Sequence, residues 1–177
     1  MYLIGELDNT VRVFTLDGVN NDFRNPTPPS NITISLKQLV STLGPGSIRS
    51  LPNNINVAAE IALSSDGHFA YASNRETTNL SVPDTLAIYA VNPGASNDAT
   101  HLTYLGFNQT FGKTPRHFAL STERGSKYAA IANEVTNSVV ILERDEDTGF
   151  FVAERGFIKL GSMDITTTKG PLAVLWE

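Results

Sequence analysis

An internal repeat constrains the fold of this 177-residue chain more than any other feature of its sequence. Residues 62–79 match residues 119–137 with one residue inserted in the turn of the second copy, which gives an offset of 58 residues after that turn. A third copy opens the chain, since residues 3–11 match residues 131–139. Recurrence of one short unit at a fixed spacing indicates stacked copies of a single supersecondary structure.

The alignment places certain polar residues at the end of the same strand in each copy. Glu6 corresponds to Glu76 and Glu134, and Arg75 corresponds to Asn133. In this alignment Arg75 therefore breaks its own repeat, because Asn133 and Gly5 stand in the equivalent places.

The whole chain is predicted to consist of short strands separated by tight turns. Asp17-Gly18, Ser65-Asp66-Gly67 and Asp147-Thr148-Gly149 supply the turn residues. The stretch 36–40 is interpreted as the end of a strand plus a loop. The predicted strands are Tyr2–Ile4, Val11–Leu16, Ile32–Leu36, Ala58–Leu63, Phe69–Ser73, Leu86–Val91, Leu102–Phe107, His117–Leu120, Tyr128–Ala132, Val139–Leu142, Phe150–Phe157 and Leu172–Trp176.

Four short strands recurring about every 50 residues are typical of a β-propeller blade. The sequence therefore predicts an all-β chain, a partial β-propeller of about three and a half four-stranded blades. The expected blade remnants are 1–44, which lacks its opening strand, 55–112 and 113–161, with 162–177 starting a further blade. Because a partial ring leaves edges and faces uncovered, we expect self-association through the open propeller edges.

Composition excludes several classes of function. The chain has 13 Lys and Arg against 18 Asp and Glu, a formal net charge of −5 and no basic run, which argues against nucleic acid or an anionic membrane as a partner. It has no Cys and only three scattered His, so we expect no metal site and no cofactor. No apolar run approaches the roughly 20 residues of a membrane span. Localisation is left open, with the cytoplasm favoured.

A series of motifs resembles the C-terminal half of the seven-bladed β-propeller lactonase family. The series runs through residues 6–14, 64–75, 112–118 and 169–171. That family includes bacterial-type 6-phosphogluconolactonases and the fungal 3-carboxy-cis,cis-muconate lactonizing enzymes, or carboxymuconate cyclases. The resemblance implies a seven-bladed ring, of which this chain is a part, and a small anionic lactone or carboxylate as substrate.

The resemblance also implies where the site lies. In the family, Glu, Arg and His side chains at one mouth of the central channel form the site without a metal. The Glu that follows the family's Tyr-(x)-x-Asn-Glu-Leu strand falls on Glu6, with Gly5 where Asn is usual, and the Arg that ends the Ser-Asn-Arg strand falls on Arg75. A further His and Arg come from blades that precede Met1. Glu6 and Arg75 are thus the predicted catalytic residues.

The chemistry of these side chains suits lactone opening. A carboxylate can direct water at the carbonyl, and a guanidinium can bind a developing oxyanion, a phosphate or a carboxylate. The alternative for Glu6 is a strand-end carboxylate used in turn or inter-blade hydrogen bonds, and the alternative for Arg75 is an inter-blade salt bridge. Arg116, His117 and Asn133 are candidate substrate-binding residues, with a hydrogen-bonding pair at the blade edge as the alternative for the first two.

Two functions from different classes remain open on this sequence. The first is an enzyme that hydrolyses small anionic sugar lactones, as 6-phosphogluconolactonases do, or that cycloisomerises a carboxymuconate. The second is a non-catalytic propeller fragment or scaffold, because a fold alone does not determine function. The Gly-His and Trp-Asp signature of scaffold repeats is missing, since the only Trp is Trp176, and this favours the enzyme.

Overall fold

The computed structural model describes residues 1–18, 31–46, 56–76, 84–95, 100–123, 125–162 and 170–177. Within them the chain forms antiparallel strands and no α-helix, as the sequence predicts. The strands are β1 (Tyr2–Gly5), β2 (Thr10–Asp17), β3 (Thr33–Ser41), β4 (Asn56–Leu63), β5 (Phe69–Glu76), β6 (Thr85–Val91), β7 (Leu102–Gln109), β8 (Pro115–Leu120), β9 (Tyr128–Asn133), β10 (Ser138–Arg144) and β11 (Phe151–Lys159).

The strands form three sheets in chain order. The first sheet has the order β1-β2-β3, the second β4-β5-β6-β7 and the third β8-β9-β10-β11. Each strand pairs with its sequence neighbour, which is the meander of a propeller blade. Among the described residues the first sheet has three strands, and β1, which corresponds to β5 and β9, lies at its edge.

Two apolar cores lie between successive sheets. Tyr71 and Ile88 of the second sheet pack against Phe118, Ile131 and other residues of the third. Val11 and Val13 of the first sheet pack against the opposite face of the second, where Ala72 and Tyr89 are fully buried. Burying each large side chain contributes about 1.5–3 kcal/mol, so the stacking of sheets provides the core that no single sheet has.

The turn between the first two strands of each complete sheet is closed by a serine. The Ser64 Oγ accepts the backbone N–H of Phe69 at 3.0 Å, and the Ser121 Oγ accepts that of Tyr128 at 3.0 Å. Gly67 in the first of these turns has a φ of 74°, a conformation that favours glycine. The structure thus explains why the Ser and Gly positions recur.

These serine contacts correct the alignment of the repeat. The equivalent pairs Ser64–Phe69 and Ser121–Tyr128 show that the second turn is longer by two residues, not one. Asn133 is therefore equivalent to Asn74. Each side-chain amide donates to a backbone carbonyl just after the last strand of the preceding sheet. Asn74 donates to Thr42 at 2.8 Å, and Asn133 donates to Thr110 at 3.0 Å.

Arg75 consequently has different equivalents from those predicted. With Asn74 matched to Asn133, Arg75 matches Glu134, and residues 3–11 still match 131–139, so Glu6 takes the same place in the first sheet. Glu6, Arg75 and Glu134 are thus the residues at one structural position in three successive sheets.

Two predicted elements differ from the structure. Residues 36–40 continue β3 to Ser41 rather than forming a loop, because Val40 pairs with Val11 and packs on the core. Leu172–Trp176 is not a strand, since no strand of the described residues pairs with it. The segment 170–177 instead lies beside β8, where the Trp176 indole Nε1–H donates to the Ala119 carbonyl at 2.9 Å.

The blade boundaries proposed from the repeat stay a prediction, because residues 47–55 and 163–169, including Lys169 of the resemblance, lie outside the described residues. Among the residues described, no helix is long and apolar enough to cross a membrane.

Candidate functional site

The opening strands β4 and β8 lie next to each other and carry the candidate site. Each is the free edge of its sheet. Each also has a register shift, between Ala58 and Ile61 in β4 and between Pro115 and His117 in β8. A bulge changes the direction of the side chains at its position, and here both bulges lie at the same level of adjacent strands.

Glu6 and Arg75 meet at one end of these strands. The Arg75 Nη2 donates to the Glu6 Oε1 at 2.5 Å and to the Ala58 carbonyl at 3.2 Å. The Glu6 side chain is 59% exposed, whereas that of Arg75 is 13% exposed. The inter-blade salt bridge considered for Arg75 is therefore present, and it presents a fixed carboxylate to solvent.

His117 of β8 and Glu60 of β4 form a second pair, which joins the third sheet to the second. The His117 Nε2 lies 3.8 Å from the Glu60 Oε2, and the His117 Nδ1 accepts the backbone N–H of Val174 at 3.4 Å. Because Nδ1 accepts, the proton of the neutral ring is on Nε2 and faces the carboxylate. The segment 170–177 thereby orients this imidazole.

Arg116 and Glu134 form a third, looser pair. The Arg116 Nη1 lies 3.6 Å from the Glu134 Oε2, and the Arg116 side chain is 51% exposed while that of Glu134 is buried. The Arg116 guanidinium thus contacts Glu134 on one side and is exposed to solvent on the other. A guanidinium in this arrangement can bind a phosphate or carboxylate.

We call these three pairs the mouth cluster. They are connected in space, since Arg75 bonds the backbone of β4 two residues before Glu60, and Glu60 faces His117, the neighbour of Arg116. The cluster holds three carboxylates, two guanidiniums and one imidazole, groups that can bind an anion and transfer a proton. Its members are Glu6, Glu60, Arg75, Arg116, His117 and Glu134.

A strained backbone positions Arg116 and His117. Thr114 has a φ of 59°, which is rare for a β-branched residue and costs of order 1–3 kcal/mol. Its N–H donates to the Asp84 Oδ2 at 2.6 Å, and its carbonyl accepts the Glu134 N–H at 2.8 Å. The buried Lys113 Nζ lies 2.7 Å from the Asp84 Oδ1, so it fixes the carboxylate that accepts the Thr114 N–H. Strain retained at this point is typical of functional sites.

Asn133 does not join the mouth cluster. Its side chain is fully buried between the second and third sheets, where it bonds the Thr110 carbonyl, and a Cβ on Gly112 would lie 2.4 Å from its Cγ. Asn133 thus links the third sheet to the end of the second.

Glu60 and Glu134 are the two members of the mouth cluster that were not among the predicted site residues, and Glu60 was not considered at all. It is equivalent to His117, since the shared segments Ala62-Leu63-Ser64 and Ala119-Leu120-Ser121 extend back to them at the same offset. Aligning the opening strands as well as the turns would have placed Glu60 beside His117. Among the described residues no group of three or more His, Cys, Asp and Glu is arranged to hold a metal ion.

A sequence profile of the family described as "Lactonase, 7-bladed beta-propeller" matches residues 1–163. The chain belongs to the seven-bladed β-propeller lactonase family. It is 37% identical over 92 residues to a 6-phosphogluconolactonase of Formosa agariphila, which covers 52% of this chain and 23% of that protein. It is 30% identical over 154 residues to an uncharacterized Lactococcus lactis protein, covering 87% and 37% of the two.

Solved structures agree with this fold. A candidate 6-phosphogluconolactonase of Bacteroides fragilis superposes with a TM-score of 0.64 at 27% identity, covering 97% of this chain and 37% of that one. The periplasmic gluconolactonase of Pseudomonas aeruginosa superposes at 0.67 with 24% identity, covering 91% and 37%. The chain thus spans between about a quarter and two fifths of the length of these relatives, and it corresponds to part of a seven-bladed ring.

Proposed function

We propose that the mouth cluster is part of a site that hydrolyses a small anionic sugar lactone of the 6-phosphogluconolactone type. The observation that carries the proposal is the convergence of Glu6 and Arg75, 69 residues apart in sequence and 2.5 Å apart in space, at the mouth of adjacent sheets. The identity to the Formosa agariphila 6-phosphogluconolactonase supports this substrate class over the carboxymuconate.

In the proposed mechanism Glu6 accepts a proton from a water molecule whose oxygen attacks the lactone carbonyl carbon. Arg75, which holds Glu6 in place, donates to the oxygen that becomes negative in the tetrahedral intermediate. The bond between the carbonyl carbon and the ring oxygen then breaks, and the proton passes to the departing alkoxide.

The remaining pairs bind and orient the substrate. The open side of Arg116 binds the phosphate or carboxylate of the lactone. The imidazole of His117, fixed between Val174 and Glu60, donates from Nε2 to a substrate hydroxyl that enters between the two side chains. This use of the site gives each of Glu6, Arg75, Arg116 and His117 one role.

A hybrid protein tests the proposal, because the chain spans part of a ring. Residues 1–177 replace the matching 37% of the Bacteroides fragilis protein, and lactone hydrolysis is followed by proton release. Glu6→Gln is expected to lower kcat by roughly 10²–10⁴-fold with KM nearly unchanged. Arg75→Ala is expected to lower kcat by roughly 10²–10³-fold, because Arg75 donates to an oxygen that becomes negative only in the tetrahedral intermediate, whereas Arg116→Ala is expected to raise KM, because Arg116 binds the anionic group of the substrate.

The control is Asp17→Asn, which changes an exposed carboxylate at the end of β2 and should leave both constants unaltered. Unchanged kinetics in Glu6→Gln and Arg75→Ala would contradict the proposal. So would a hybrid that consumes 3-carboxymuconate, followed by its absorbance, and leaves the lactone intact.

A further inference from the structure

Glu60 and His117 present a hydrogen-bond acceptor and a donor side by side on the adjacent strands β4 and β8. The His117 ring carries its proton on Nε2, because Nδ1 accepts the Val174 N–H. The Glu60 Oε2 lies 3.8 Å from this nitrogen, beyond the roughly 3.2 Å at which an N–H···O hydrogen bond ends. Among the described residues, Nε2 donates no hydrogen bond and Oε2 accepts none. Both atoms are therefore available to a ligand.

Glu60 is held in this orientation before any ligand binds. Its Oε1 accepts the Ile61 N–H at 3.1 Å, and its own N–H donates at 3.0 Å to the Oγ of Ser73, which is fully buried. These bonds lie at the bulge of β4, and they leave Oε2 as the oxygen that faces His117. Because the acceptor is fixed in advance, ordering it costs a ligand little binding free energy.

A small ligand can reach both side chains. The His117 side chain is 27% exposed and that of Glu60 is 34% exposed, and β4 and β8 are the free edges of their sheets. Arg116, the neighbour of His117, has a side chain that is 51% exposed. The pair thus lies beside the guanidinium to which the proposed function assigns the anionic group of the substrate.

The separation of the two atoms suits two neighbouring hydroxyl groups better than one. An oxygen at about 2.8 Å from both atoms would subtend an angle of only about 85° between them. That angle is narrower than the tetrahedral arrangement of a hydroxyl's proton and lone pairs. In a vicinal diol, one hydroxyl accepts from the His117 Nε2 while its neighbour donates to the Glu60 Oε2, so each bond keeps its preferred direction.

A carboxylate fits the same place poorly. It could accept from the His117 Nε2, but it has no proton to donate to the Glu60 Oε2 and would bring two negative charges together. Like charges in contact at a binding site cost enough free energy to exclude a wrong ligand. The fixed carboxylate of Glu60 therefore favours a hydroxyl group and disfavours an anionic one.

We propose that Glu60 and His117 form a diol subsite, in which Glu60 selects a polyhydroxylated sugar lactone over a carboxylate-bearing ligand such as a carboxymuconate. This inference rests on the proposed function and adds the pair of groups by which the site recognises the sugar. His117 donates to one hydroxyl of the lactone, Glu60 accepts from the next, and Arg116 binds the anionic group. Glu60 is thus a specificity-determining residue of the mouth cluster.

Kinetics of the hybrid protein with two lactones test the subsite. In 6-phosphogluconolactone the hydroxyl on the third carbon belongs to both vicinal pairs, so the 3-deoxy lactone has no vicinal diol. The hybrid should show a kcat/KM roughly 10–10²-fold higher for the complete lactone, and Glu60→Ala should remove most of this preference. Glu154→Ala, at an exposed carboxylate of β11, is the control and should keep it. If the hybrid hydrolyses both lactones equally well, the diol subsite is wrong while the proposed function stands.

Calorimetric binding to the hybrid tests the subsite without turnover. The hybrid should bind 6-phosphogluconate more tightly than its 3-deoxy analogue. Glu60→Gln removes the negative charge with little change of shape, so this variant should bind 3-carboxymuconate severalfold more tightly than the unaltered hybrid does, whereas Glu154→Gln should not. Tighter binding does not arise from a damaged fold. Equal binding of the two gluconates, or no gain for the carboxymuconate, would overturn the inference whether or not the lactone is hydrolysed.

Discussion

Replacing Asp66 by Asn should weaken the contact between the second and third sheets. Asp66 lies in the turn between β4 and β5, and its Oδ2 lies 2.7 Å from the Nη2 of Arg144, the last residue of β10. Arg144 is buried and also donates from Nε to the Ser126 carbonyl at 3.0 Å. Asn keeps the shape of the side chain but leaves a buried guanidinium without its counter-charge.

The magnitude follows from the pKa of Asp66. Partial burial raises this pKa. Hydrogen bonds from the Ser64 hydroxyl, the His68 backbone N–H and the Arg144 guanidinium lower it by more, so that the net pKa is about 2 against an ordinary 3.8. A difference of nearly two units would correspond to about 2 kcal/mol of folding free energy at neutral pH, and solvent screening of this exposed carboxylate reduces the expected contribution to about 1 kcal/mol. Because the folded-state pKa is the lower one, this contribution is complete above about pH 5, falls to roughly half near pH 3 and is lost as the pH falls through about 2.

Urea denaturation followed by circular dichroism measures this contribution at a fixed protein concentration and ionic strength. Asp66→Asn should lower the free energy of unfolding by about 1 kcal/mol at pH 7, and the difference from the unaltered protein should shrink steadily below pH 4. Asp17→Asn, at an exposed carboxylate, is the control and should show neither effect. A destabilisation by Asp66→Asn that is the same at pH 7 and pH 3 would refute the ion-pair explanation.

Three further substitutions test the packing around the site and between the sheets. Gly149→Ala should destabilise by about 2–4 kcal/mol, since Gly149 has a φ of 78° and its Cβ would lie 2.4 Å from the Phe69 ring, whereas Gly67→Ala, at a φ of 74° with open space around it, should cost only about 1–2 kcal/mol. Thermal unfolding compares the two, and equal costs would contradict the packing argument. Lys113→Ala should cost about 3–5 kcal/mol by leaving the buried Asp84 carboxylate without its cation, and a loss below about 1 kcal/mol would contradict that assignment.

The architecture was predictable because it repeats. One unit read at residues 62–79 recurs at 119–137, and each copy specifies the same turn and the same buried strand. The error in the predicted alignment was confined to the length of one turn. The turn before Tyr128 is longer by two residues than that before Phe69, and turn residues tolerate such insertions without altering the strands that follow.

The site was predictable only in part, because it depends on contacts between sheets. Glu6 and Arg75 were named from the family resemblance, and the structure brings them together. Glu60 carries no motif, and its importance arises from the bulge that places it opposite His117 on the next sheet. Asn133 was named because it was aligned with Arg75, a match that the two-residue difference between the turns removes.

Titration of the chain with 6-phosphogluconate, the open product of the proposed lactone, tests the central claim most directly. Nuclear magnetic resonance of a labelled sample can follow the guanidinium signals of Arg75 and Arg116 and the ring of His117, which is one of only three His. The account expects saturable shifts confined to the mouth cluster, abolished by Arg116→Ala and weakened by high salt. Shifts spread over the surface, or a mouth cluster that does not respond while other residues do, would contradict it.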